Sequence, residues 1–209
     1  MTQQISYTTL RGMNTFECFV KRSVDILLSL GSLVLFALPI AIIYIAVKWE
    51  DGGPAIFKQE RMGMNGKPFM LYKFRSMRTD AEKNNSPQLY SEGDSRLTKV
   101  GDFIRTHHID EFPQLWNILI GDMSFVGYRP ERQFYIDQIV EHCPQYVDLY
   151  QVRPGIFSLA TLYNGYTDTI EKMITRTEMD LEYLRKGSLW LDIKIIFLTS
   201  VAIITGKKF

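Results

Sequence analysis

Ile26 to Val47 reads ILLSLGSLVLFALPIAIIYIAV, with no charged residue. As a helix it would cover about 33 Å at 1.5 Å per residue, close to the thickness of a hydrocarbon core. Lys21 and Arg22 precede it, and Lys48 and Trp49 follow it. Basic and aromatic flanks suit a membrane interface. A cleaved signal sequence would be shorter and followed by a small-residue cleavage site, which is missing here. Three readings stay open: a buried helix of a soluble domain, a single spanning helix, and a re-entrant hairpin that enters and leaves by one face. Pro39 lies past the middle and has no N–H to donate, so a break is expected there. Ser29 and Ser32 are placed to serve the freed carbonyls. Positive charge on both flanks fits two ends on one side, although a kinked spanning helix would carry the same pattern.

The rest of the 209-residue chain is ordinary for a folded protein, with 46% apolar and 22% charged residues. That excludes disorder as the main state and leaves room for one domain with a real core. Lys and Arg number 24 against 23 Asp and Glu, a formal net charge of +1. Such a balance argues against a broad electrostatic nucleic-acid binder. The two cysteines, Cys18 and Cys143, form no CxxC, which excludes a disulfide scaffold and a cysteine-built zinc site.

Residues 1–18 carry no strong pattern and read as a lead-in. Ala55–Phe57 and Phe69–Phe74 flank a turn containing Asn65-Gly66, which predicts a β-hairpin. Residues 81–95 are polar and read as a loop. Leu97, Val100, Phe103 and Ile104 stand at helical spacing, so a short helix is expected over 97–106. Further helices are expected over 110–119, 131–142, 167–186 and 189–205. Asp192 and Lys194 make the last an interfacial or core-packed helix rather than a second span.

No P-loop, HExxH or GxSxG is present. His107 and His108 are adjacent, so on a helix they would point about 100° apart and would not chelate one ion together; they read as surface or loop residues. The most suggestive stretch is Asp110-Glu111-Phe112-Pro113-Gln114-Leu115. Pro113 suits the first turn of a helix, which puts both acids at its N-terminus. There they either cap the helix or do chemistry beside bound phosphate, since free N–H groups attract both. Lys73, Arg75, Arg96, Arg105, Arg129-Pro130 and Arg153-Pro154-Gly155 sit among apolar and turn residues. Any one of them alone reads first as a surface or ion-pair residue; five such sites in a chain with a membrane segment point to a phosphate-bearing ligand, whose oxygens arginines so placed are suited to grip. Two acids beside phosphates fit Mg²⁺ better than Zn²⁺.

Together these blocks resemble the bacterial sugar transferases, the monotopic phosphoglycosyl transferases, over about Lys21 to Thr199. The resemblance is carried by Phe57-Lys58-Gln59-Glu60-Arg61-Met62-Gly63, Tyr72-Lys73-Phe74-Arg75-Ser76-Met77 and Asp94-Ser95-Arg96-Leu97-Thr98. It continues through Asp110-Glu111-Phe112-Pro113-Gln114-Leu115-Trp116-Asn117 and the run Gly121 to Pro130. Arg153-Pro154-Gly155 and the tail Asp180, Tyr183, Ser188 and Asp192 also match. Two departures bear on substrate choice. Tyr128 stands where the family has Pro. The block 157–166 (FSLATLYNGY) replaces the family's Thr-Gly-Trp-Ala-Gln-Val-Asn-Gly-Arg pattern.

The resemblance implies an α+β, mostly helical, membrane-associated domain. It would hold a lead-in over 1–20, a re-entrant hairpin over 21–50 broken at Pro39, and a cytoplasmic catalytic part over 51–205 with a β-hairpin and amphipathic interfacial helices. It implies transfer of a phospho-sugar from a UDP-sugar to polyprenyl phosphate such as undecaprenyl phosphate, with release of UMP. By this likeness Asp110 is the nucleophile and Glu111 holds Mg²⁺. Lys73, Arg75, Arg105, Arg129, Pro130 and Arg153 would bind substrate. The expected place is the bacterial inner membrane, among its lipids, with the site facing the cytoplasm and the product entering exopolysaccharide, capsule, O-antigen or glycoprotein assembly. The alternatives are a glycosyltransferase that releases UDP and a non-catalytic membrane scaffold. A transporter would need several spans, and one convincing segment exists.

Overall fold

The structure is a computed structural model that describes residues 12–81, 93–163, 167 and 169–205. Most of the expected lead-in, most of the 81–95 loop and Asn164-Gly165-Tyr166 of the altered block lie outside the described residues. The described residues are mostly helical, with two small two-stranded sheets among them.

Helix α1 runs Thr15–Leu35 and α2 runs Ala37–Asp51. α1 starts inside the stretch read as a lead-in because Asn14 and Glu17 form a reciprocal cap. The Asn14 side chain accepts from the Glu17 N–H at 2.9 Å, and Glu17 accepts from the Asn14 N–H at 2.9 Å. The two helix axes bend by 64°. The non-helical residue is Phe36, not Pro39. Pro39 acts from the first turn of α2: its ring displaces the carbonyl four residues back, at Leu35, so the ladder breaks upstream of the proline. Ser29 donates to the Ile26 carbonyl at 3.1 Å, ahead of the bend rather than to a carbonyl freed by it. Among the described residues no single helix is long and apolar enough to cross a membrane; the bent pair passes that test jointly, by length and composition.

Strands β1 (Ile56–Met62) and β2 (Pro68–Phe74) form the expected antiparallel hairpin, in register from Ile56 opposite Phe74 to Met62 opposite Pro68. Asn65 and Gly66 take left-handed φ of 61° and 65° in its turn, as an Asn-Gly pair allows. α3 (Lys99–Thr106) is capped by Thr98, whose hydroxyl accepts from the Gly101 N–H. Gly101 lies against the Ser76 backbone, where an added Cβ would fall 1.9 Å from the carbonyl oxygen. That contact pins α3 to the end of the hairpin.

A 3-10 turn, Ile109–Glu111, leads into α4 (Gln114–Ile120). β3 (Ser124–Val126) then pairs in parallel with β4 (Gly155–Phe157), and α5 (Gln133–His142) and a 3-10 segment, Pro144–Gln151, fill the connection. The pairing explains Arg153-Pro154-Gly155 structurally: a Cβ on Gly155 would meet the Gly127 nitrogen at 2.1 Å. α6 (Leu159–Tyr163), α7 (Ile170–Lys186) and α8 (Leu189–Ile204) complete the chain, with Thr169 and Ser188 capping the last two. One core joins α5, the 3-10 segment and α7 around Tyr135, Ile139, Tyr146 and Leu149; another packs α8 under β3 and β4. Tyr128 is fully buried in the first core and meets Tyr150 edge-on at 6.5 Å. This departure from the family pattern is therefore a packing residue.

Candidate active site

Asp110 and Glu111 reach their place through two short-range devices. α3 ends at His107, and His108 takes a left-handed conformation (φ 55°) that turns the chain back. Pro113 then begins α4 as its N-cap, and no side chain caps that helix. The capping reading of the acid pair is therefore not what the structure holds. Instead, Glu111 accepts from Lys73 of β2 at 2.6 Å, and Lys73 also lies 3.9 Å from Asp110. Arg129 stands 3.9 Å from Glu111 on the other side.

This cluster forms one wall of a cavity of about 700 Å³. The charged wall carries Lys73, Arg105, His108, Arg129 and Arg176 with the two acids. The rest of the lining is largely apolar and includes Leu28 and Phe36 from the bent pair, Phe157 at the end of β4, and Ile196 and Ile203 from α8. The helix break is tied to the site directly, since the Phe36 and Phe112 rings lie 5.2 Å apart.

The two acids sit in different electrostatic states. Burial raises Asp110 to about 6, and the charge of Glu111 adds to this against the pull of Lys73, Arg105 and Arg129. Burial opposes ionisation of Glu111 too, but Lys73 and Arg129 outweigh it and hold that carboxyl far below its ordinary value. One acid is a fixed anion; its neighbour is a buried carboxyl with raised basicity, the pattern of paired groups with divided roles.

Of the residues singled out in the sequence, Lys73, Arg105, Arg129, Asp110 and Glu111 converge on this cavity. Pro130 lies just behind it, its carbonyl accepting from Arg61 at 3.1 Å. Arg75 and Arg153 are placed elsewhere. Arg75 is bound to Asp51 and to the Val47 carbonyl, at the C-terminal end of α2. Arg153 donates to the Gly121 carbonyl at 2.8 Å, at the C-terminal end of α4. Arg96 pairs with Asp94. A guanidinium beside a turn fits exposed helix carbonyls as well as it fits phosphate, so sequence alone does not separate these uses.

Three features were not legible. His108, read as a surface or loop residue, lines the cavity. Arg176, hidden in the charged pattern of α7, is buried at its wall and bonds Glu131 at 2.6 Å. Arg61 takes the other oxygen of Glu131 at 2.8 Å, and Asp180, one turn after Arg176, accepts from the Arg129 N–H at 3.2 Å. Together they clamp the Arg129–Glu131 loop. The only signal was the i, i+4 spacing of Arg176 and Asp180.

Residues 16–206 match the family described as bacterial sugar transferase. The chain belongs to that family. It is 43% identical over 194 residues to the UDP-glucose:undecaprenyl-phosphate glucose-1-phosphate transferase of Escherichia coli (strain K12), covering 92% of this chain and 41% of that relative. The UDP-N-acetylgalactosamine-undecaprenyl-phosphate N-acetylgalactosaminephosphotransferase of Aeromonas hydrophila is 39% identical, over 90% of this chain and 44% of its own. A Caulobacter vibrioides relative, also a UDP-glucose:undecaprenyl-phosphate glucose-1-phosphate transferase by name, is 38% identical over 88% of this chain and 70% of its own. The chain thus spans less than half the length of the first two.

Among the described residues no three His, Cys, Asp or Glu side chains gather as a metal site. The donor set at this site is two adjacent carboxylates, one of them firmly ionised. That set fits a hard divalent ion that completes its shell with water and phosphate oxygens, as Mg²⁺ does.

Proposed function

We propose that this chain transfers a phospho-sugar from a UDP-sugar to a polyprenyl phosphate and releases UMP. The observation that carries the reading is the cavity lined by an acid pair and four cations together with many apolar side chains. Such a space suits an anionic diphosphate and a lipid tail together. The names of the relatives, which cite UDP-sugars and undecaprenyl phosphate, support the same class.

The carboxylate of Asp110 attacks the β-phosphorus of the donor. An O–P bond forms, the bond to the α-phosphate oxygen breaks, and its electron pair leaves with UMP. The acceptor's phosphate oxygen then attacks the same phosphorus and restores the Asp110 carboxylate. Two displacements replace one difficult transfer. Lys73, between the two acids, steadies the charge of Asp110 before attack. Arg105 and Arg129 orient phosphoryl oxygens, and the clamp from Arg61, Arg176 and Asp180 keeps the Arg129 loop in place. Glu111 would hold Mg²⁺, which supplies charge neutralisation of the diphosphate and leaving group when bound.

The chain would sit at the inner membrane as a re-entrant hairpin, with its site facing the cytoplasm. Leu27, Val34, Leu35 and Leu38 of the bent pair are 69–72% exposed. Trp190, Ile193 and Phe197 on one face of α8 are exposed as well. A water-soluble donor and a lipid acceptor must meet at an interface, and this placement brings both to Asp110. The test is nucleotide release by nanodisc-held protein given UDP-sugars, Mg²⁺ and polyprenyl phosphate. Lipid-dependent UMP is expected. UDP in its place would mean plain glycosyl transfer and would remove Asp110 as nucleophile.

A further inference from the structure

α3 ends in a way that sets His108 apart. His107 is its C-cap and His108 the residue after it, with φ 55° and ψ 18°. Glycine is the usual occupant of that left-handed position, because a Cβ there is strained. Only two non-glycine residues among those described have positive φ: Asn65, a residue type that tolerates it, in the hairpin turn, and His108. Histidine enters this region more often than most non-glycine residues, still at a cost in strain, and strain of this kind clusters at functional sites.

The position of that side chain supports this. The half-buried His108 lines the cavity between Arg105 and the acid pair. Its neighbour His107 also borders the cavity, with Nδ1 2.8 Å from the Phe103 carbonyl and its ring on Phe103. In either protonation state the imidazole carries an N–H that can donate to a phosphoryl oxygen.

We infer that His108 is a further substrate-contacting residue, its imidazole N–H donating to a phosphoryl oxygen of the bound donor diphosphate, and that the left-handed turn after α3 exists to aim it there. This rests on the proposed transfer reaction. The experiment compares the full chain in nanodiscs with His108→Gly, which frees the backbone and deletes the imidazole, and His108→Asn, which tolerates the turn and keeps an N–H. The readouts are thermal midpoint, kcat and KM for UMP release, and rescue by added imidazole. His108→Gly should melt no lower than the parent yet lose about tenfold in kcat/KM, the size of one hydrogen bond. His108→Asn and added imidazole should each restore part of that loss. Unchanged turnover in His108→Gly would overturn the inference while leaving the transfer reading intact. So would a loss that tracks a fall in melting temperature and responds to neither Asn nor imidazole. No UMP from the parent chain would defeat the transfer reading and this inference together.

Discussion

The two ends of α4 use the same chemical groups for opposite purposes. At its start, Lys73 and Arg129 face two carboxylates beside a cavity of about 700 Å³. At its finish, Arg22 donates to the Ile118 and Leu119 carbonyls at 2.6 and 2.8 Å, and Arg153 to that of Gly121. The space there is about 60 Å³, room for little more than water. Helix ends differ in which backbone groups they leave unmade. Carbonyls at the C-terminus attract guanidinium groups and occupy them. Lys73 and Arg129 at the N-terminal side pair with the Glu111 carboxylate instead, and both line the cavity. The lesson is that an arginine's neighbours in space, not its neighbours in sequence, decide whether it can hold phosphate.

Substitutions at the two ends should part cleanly. Asp110→Asn is expected to fold and to lose transfer by a factor of roughly 10³ or more, as removal of a covalent nucleophile does. Near-parent turnover by protein free of wild-type enzyme would remove Asp110 from the chemistry. Arg129→Met should lower kcat/KM for the donor by about 10- to 100-fold with stability nearly unchanged, because its side chain is 41% exposed. Arg153→Met should do the reverse. It should cost on the order of 1–3 kcal/mol in a denaturation series and leave the donor KM where it was. A KM effect at Arg153 as large as that at Arg129 would collapse the distinction between the two ends.

Asp180 adds a pH handle behind the same loop. Burial raises its carboxyl to about 7, so the folded chain binds that proton more tightly than the unfolded chain does. Its contribution to stability is therefore greatest below about pH 4 and is lost as pH rises toward 7. Asp180→Asn, which keeps an acceptor for the Arg129 N–H, should be the more stable form at pH 8 by up to roughly 4 kcal/mol, with the gap closing at pH 4. Parallel melting curves for the two proteins across that range would contradict the assignment. The smallest expected effect is at the helix break. Pro39→Ala restores an N–H and relieves the clash with Leu35, so the bend should open. Spin labels at Gly31 and Tyr44, either side of Phe36, should move apart; an unchanged distance would show that packing such as Phe36 on Phe112 sets the bend.

Much of the architecture followed from local rules. The hairpin and its Asn65-Gly66 turn, the helices over 97–106, 131–142 and 189–205, and the break in the apolar segment all rest on periodicity, turn chemistry and proline. These act within a few residues and are written in the chain. The bend fell at Phe36 because a proline disrupts the turn before it, a matter of three residues. The parallel β3–β4 pair had no such signal: each strand has three residues, and their pairing spans about thirty positions.

The site divides the same way. The acid pair and three of its cations, Lys73, Arg105 and Arg129, stand in sequence blocks whose order is recognisable. The parting of Arg75 and Arg153 from them, the arrival of Arg176 and His108, and the burial of Tyr128 were decided by the tertiary structure. Burial and the direction of a helix end are properties of the assembled chain. They determine whether a charge meets a carbonyl, a carboxylate or open space, and no spacing along the sequence carries that information.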